Sequence, residues 1–199
     1  MHATSLQTDQ KIMEKEKFQN KYRIKSARAT WHNYNGGKYY ITICTHNREH
    51  FFGEINNGIM HLSDVGKYTT ECLQNITIHN PYAEIPVFVV MPNHIHAIVL
   101  INEIPPCRDV ACNVSTGDAD ESNKQMIEIT KHQSLLSFAI RGFKSAVTKF
   151  AGDNGIQFAW QTRFYDSIIL TQSSMKKVVE YIEENIPNWD KDCFNNVKK

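Results

Sequence analysis

The chain has 199 residues, 41% hydrophobic and 22% charged, enough for one domain with a buried core. No apolar run approaches the roughly 20 residues that a membrane-spanning helix needs. Residues 1–10 lack the apolar centre of a signal peptide, so the chain reads as cytoplasmic with no membrane partner.

Five cysteines in an odd set without Cys-x-x-Cys spacing speak against a disulfide framework and a zinc knuckle. The net charge is only +1, but it is unevenly spread. Residues 11–50 hold nine Lys/Arg against three Glu, residues 103–128 six acidic against two basic residues, and residues 131–163 five basic residues against Asp153. The two basic blocks can form one phosphate-facing surface, or each can be a solvated face.

Residues 1–28 read as a flexible basic arm. After the turn chemistry of Asn33 to Gly37, Lys38–Thr45 alternates β-formers and predicts a first strand. Val65, Tyr68, Cys72 and Ile76 predict a helix over 63–78, capped by Ser63 and ended by Asn80-Pro81. Residues 84–91 and 94–102 predict two strands joined at Pro92-Asn93. Residues 105–130, rich in Asp, Ser, Asn and Gly, read as an acidic insert loop. A helix over 133–151 follows, with Gly142 inside it suggesting close packing. A strand over 164–170 and a helix over 173–186 complete the pattern, with residues 190–199 as a polar tail. The first six elements predict an α+β, ferredoxin-like sheet (split βαβ) with helices on one face, in a domain spanning 29–189.

Three groups of side chains carry chemistry. His94 and His96 alternate along a strand and therefore share one face, where both can reach one cation, although solvated or hydrogen-bonded histidines are the plainer alternative. On the last helix Met175, Val178, Val179, Ile182 and Ile186 form the apolar stripe. Tyr181 flanks it with Asn185 one turn on, so a phenol and a carboxamide can face the histidines, or Tyr181 can simply pack at the core edge. Arg141, Lys144 and Lys149 are candidate phosphate contacts. Trp160, Gln161, Phe164, Arg163 and Tyr165 can stack on bases and grip phosphates, with core packing the alternative for Trp160 and Phe164. Tyr165 is a rival nucleophile. His32, His46, His50, His61, His79 and His132 show no ligand spacing.

Four segments occur together and in order: Val90-Met91-Pro92-Asn93-His94-Ile95-His96, Arg141-Gly142-Phe143-Lys144-Ser145, Trp160-Gln161-Thr162-Arg163-Phe164-Tyr165-Asp166, and Tyr181-Ile182 followed by Asn185 and Trp189. In these the chain resembles the single-tyrosine HUH transposases, most closely the REP-associated tyrosine transposases, from about Tyr34 to Trp189. The resemblance implies Tyr181 as nucleophile, His94, His96 and Asn185 as ligands of Mg²⁺ or Mn²⁺, and an HUH-type fold. It further implies single-stranded, hairpin-forming DNA as substrate, a 5′-phosphotyrosine intermediate, and a monomer or homodimer. Ile186 stands between Asn185 and Pro187 where the family has the proline directly, and the acidic insert has no counterpart in compact members. A hairpin-binding protein without nuclease activity and a metal-dependent phosphodiesterase, including a zinc enzyme, are the alternatives.

Overall fold

The computed structural model describes residues 32–102 and 134–195; the basic arm and the acidic insert expected from the sequence lie outside them. Four strands make the main sheet: β1 (Gly37–Cys44), β4 (Ala83–Val90), β5 (His94–Ile101) and β6 (Tyr165–Ile168). The sheet order is β4-β5-β1-β6, and every adjacent pair runs antiparallel. This is the split βαβ order expected from the alternation of elements. In β4 the pairing shifts between Glu84 and Val87, around Pro86, which has no N–H to give to the ladder.

Alternation along the strands divides the sheet into two faces. Tyr39, Ile41 and Ile43 of β1 and Ile95, Ala97, Val99 and Ile101 of β5 point into the larger core. Against them pack α1 (Asp64–Gln74), the single turn α2 (Ile76–His79) and α3 (Leu135–Asp153), through Val65, Leu73, Leu136, Ile140, Phe143 and Val147. Ser63 caps α1 by accepting from the Gly66 N–H at 3.1 Å, and Ser134 caps α3 by accepting from the Ser137 N–H at 3.4 Å. The helix expected over 63–78 breaks at Asn75, and the last turn restarts as α2.

The opposite face carries the second, smaller core, where α4 (Gln172–Glu183) lies on the sheet. Ile182 is buried there with Ile98 and Ile169, while Met175, Val178 and Val179 are half-buried on the predicted stripe. The first two layers thus follow the expectation of helices on one face, and the tyrosine helix alone joins the histidines.

A hairpin that the sequence reading missed lies between β1 and α1. Strands β2 (Gly53–Asn56) and β3 (Ile59–Leu62) pair antiparallel. They turn at Asn57-Gly58, whose φ angles of 53° and 73° require the left-handed region on both central residues. That dipeptide was the available signal.

Gly142 does not match its expectation of close packing. A Cβ built there meets nothing within 4 Å.

Candidate active site

His94 and His96 leave β5 on the face opposite the large core, and both are fully buried. Their rings lie 4.5 Å apart between centroids. His94 Nδ1 lies 2.8 Å from Asn93 Oδ1. The Asn93 carboxamide is itself oriented, because its Nδ2 donates to the carbonyls of Arg48 at 3.1 Å and Phe194 at 2.7 Å. Its oxygen can only accept, so the proton of neutral His94 sits on Nδ1 and Nε2 carries a bare lone pair.

Buried His94 Nε2 has no hydrogen-bond partner. Loss of solvation, followed by the neighbouring His96 and Arg48, pushes the His94 pKa down to about 2. Burial pushes that of His96 down to about 4. Both imidazoles are therefore neutral near pH 7, the form that ligates a cation. His96 Nδ1 is met by two hydroxyls of β1, Tyr40 at 2.7 Å and Thr42 at 2.9 Å.

Tyr181 reaches this face from α4. Its hydroxyl lies 3.5 Å from His96 Nε2, and its ring stands edge-on to that of His96 with centroids 5.2 Å apart. It is 47% exposed, so the phenolic oxygen faces both the histidines and solvent. Asn185, beyond the end of the helix, is buried. Its Nδ2 donates to the Tyr181 carbonyl at 3.0 Å, which leaves Oδ1 buried with no hydrogen-bond partner. Its carboxamide faces His94.

The expected polar tail contributes to the site. A 3₁₀ turn, Trp189–Lys191, buries Trp189 and brings Asp192 Oδ2 to 3.9 Å from His94 Nε2. Phe194 stacks beside His94 with centroids 4.6 Å apart and is covered by the Arg48 guanidinium at 4.6 Å. Arg48 also donates to the Cys193 carbonyl at 3.0 Å. His94, His96 and Asp192 each offer a ligand atom, and these atoms all lie within 4.8 Å of one another. Spacing gave no sign of Asp192; the aromatic pair Trp189 and Phe194 in an otherwise polar stretch was the one hint.

The expected DNA contacts are distributed differently. Lys144 donates to the carbonyls of Gln161 at 2.9 Å and Arg163 at 3.2 Å, and its ammonium sits over the Trp160 ring, so it pins this loop from within. Trp160 packs on Phe52, Phe143 and Phe158 and donates to the Lys144 carbonyl, which is the packing alternative. Lys149 pairs with Asp153 at 2.9 Å, and exposed Arg141 lies over Phe138; both project from α3, on the face of the sheet away from the histidines. Gln161, Arg163 and Tyr165 are exposed. Tyr165 pairs with Thr42, a register that places it on the histidine face at the open edge of the sheet.

A solved REP-associated tyrosine transposase, bound in that structure to a REP hairpin, matches with a TM-score of 0.50 over 82% of this chain and 74% of that chain, at 18% identity. The chain thus shares its fold with that transposase. It belongs to one family with an uncharacterized protein of Haemophilus influenzae, 36% identical over 170 residues that span 84% of this chain and 91% of the relative. No protein-family model matches the chain. No described helix is long and apolar enough to cross a membrane.

Proposed function

We propose that this protein is a divalent-metal-dependent single-strand DNA endonuclease and strand transferase. Tyr181 is its nucleophile and hairpin-forming DNA its substrate. The observation that carries the reading is a pair of buried atoms without a hydrogen-bond partner, His94 Nε2 and Asn185 Oδ1, on side chains that face each other, with the Tyr181 hydroxyl beside His96 Nε2. A buried lone pair without a partner is costly, and two converging ones fit a cation.

His94 and His96 would hold the ion, with Asn185 or Asp192 completing the set. Once bound, a Mg²⁺ or Mn²⁺ ion would supply Lewis-acid polarisation of the scissile phosphate. The chain's own part is to hold the phenol and shape the pocket. Tyr181 loses its proton and its oxygen bonds to phosphorus. The P–O3′ bond breaks, and the departing oxygen takes a proton to become a 3′-hydroxyl. Attack by another 3′-hydroxyl on the phosphotyrosine reverses the step and joins strands. The exposed Tyr165 and Arg163 at the sheet edge support a single strand passing beside Tyr181.

Asp192 favours a second reading. Two histidines and a carboxylate also suit Zn²⁺, and a hydrolytic phosphodiesterase would cut without a protein adduct. One experiment separates the readings: end-labelled single-stranded DNA from the flanks of the gene, incubated with Mn²⁺ and run on a denaturing gel. A band that resists denaturation and disappears in Tyr181→Phe is the expected result. Cleavage without that band favours the phosphodiesterase. Hairpin binding without cleavage under any divalent metal leaves a binding protein.

A further inference from the structure

We propose that Tyr40 is a positioning residue of this site, holding His96 with its oxygen and steadying the Tyr181 oxygen with its hydrogen. The second half of this role rests on Tyr181 being the nucleophile.

The inference starts from hydrogen-bond counting around His96. Its Nδ1 has two hydroxyl neighbours, Tyr40 at 2.7 Å and Thr42 at 2.9 Å. If Nε2 is to hold a cation, the single proton of the neutral ring must sit on Nδ1. A protonated Nδ1 accepts nothing, so the two hydroxyls share its one hydrogen as acceptors and each must send its own hydrogen elsewhere.

For Tyr40 the geometry supplies a destination. Its ring stacks on His96 with centroids 5.5 Å apart at 24°, and stands edge-on to Tyr181 at 6.2 Å and 88°. Tyr40 is thus wedged between ligand and nucleophile. Its hydroxyl faces that of Tyr181, so the hydrogen it cannot give to a protonated Nδ1 has the Tyr181 oxygen as an acceptor.

The two tyrosines are therefore not equivalent. Tyr40 is half-buried on the central strand, fixed by the ladder on both sides. Tyr181 is half-exposed on a helix held by the smaller core. A fixed donor aimed at an oxygen that becomes charged stabilises that charge at no cost in reorganisation. It would act in both directions, when Tyr181 attacks phosphorus and when it leaves again. Thr42 supports the same Nδ1, so removing the Tyr40 hydroxyl should spare the metal site and affect the phenol.

The test has two arms. In metal-free protein, ¹⁵N NMR of the histidine side chains should show His96 protonated at Nδ1 with Nε2 bare; a proton on Nε2 overturns the inference. In single-turnover reactions at saturating DNA and Mn²⁺, Tyr40→Phe should form the Tyr181 adduct 10- to 100-fold more slowly. Mn²⁺ and DNA dissociation constants should stay within threefold of the native protein. Phe keeps the ring and its packing, and an unchanged thermal midpoint confirms the fold. An adduct rate within twofold of the native protein overturns the role of Tyr40 and leaves the proposed function standing. An unaltered rate maximum with weakened DNA binding reduces Tyr40 to a structural residue and also overturns it. No adduct in the native protein overturns the proposed function itself and, with it, the role of Tyr40 toward Tyr181.

Discussion

At the scale of residues, the site is built by hydrogen bonds that leave the right atoms bare. Asn93 Oδ1 accepts from His94 Nδ1–H, and two β1 hydroxyls meet His96 Nδ1, so both Nε2 atoms face the pocket. Losing the outer partner of a ligand commonly costs about one to two orders of magnitude in metal affinity. That applies to Asn93 behind His94, whereas His96 keeps Thr42 when the Tyr40 hydroxyl is removed. Burial of neutral imidazoles also has a consequence for stability. The pKa values are pushed down to about 2 for His94 and about 4 for His96, from an ordinary value of 6.5. Below pH 6.5 the unfolded chain therefore binds protons that the folded chain refuses. The stabilising contribution is complete above that pH and is lost as the pH falls, through about 4 for His96 and further for His94. The slope should be on the order of 1 kcal/mol per pH unit for each group. Urea unfolding in the presence of a chelator between pH 7 and pH 5 checks this. A midpoint that stays level across that range would contradict the neutral, buried pair.

At the scale of elements, α4 carries Tyr181, the proposed nucleophile, on a modest anchor. One fully buried side chain, Ile182, and three half-buried ones hold it to the sheet. The helix on the far side, α3, is anchored along its length by Leu135, Leu136, Ala139, Ile140, Phe143, Val147 and Ala151. Gly142 sits in α3 at an exposed position with open space around it. Glycine there only adds chain entropy to the unfolded state, so Gly142→Ala should stabilise by about 0.5–1 kcal/mol. A rise of roughly 1–4 °C in the thermal midpoint is expected, with the adduct rate unchanged. A fall would show that the site is not open.

At the scale of the whole molecule, the sheet separates stability from chemistry. One face is closed by α1, α2 and α3 over the large core, and the other gathers His94, His96, Tyr40, Thr42, Tyr181 and Asn185. The C-terminal turn closes the site through Trp189, Asp192 and Phe194, so the side chains around it come from four separate parts of the chain: β1, β5, α4 with its C-terminal end, and this turn. A cation bound there binds the folded state alone. Mn²⁺ at about 100 times its dissociation constant should add about 2.7 kcal/mol, or roughly 5–10 °C in the thermal midpoint. Chelator should reverse the shift and His94→Ala should abolish it; an equal shift in that variant would place the ion elsewhere.

What the sequence determined by itself is whatever repeats with the period of a strand or a helix. His94 and His96 share a face because β5 alternates, and Tyr181 flanks Ile182 because α4 turns every 3.6 residues. The strand and helix order was legible for the same reason, since apolar spacing is local. What only the tertiary structure decided is which distant groups meet those side chains. Tyr40 lies 56 residues from His96 and reaches it through strand pairing, and Asn93 is oriented by a carbonyl 101 residues away at Phe194. Lys144 and Trp160 look like DNA contacts by residue type, yet their partners are the loop they pin. Asp192 stands in a polar stretch with no period, and only the packing of Trp189 and Phe194 brings it beside His94. Spacing encodes direction within an element, whereas partners across elements follow from burial of the whole chain at once.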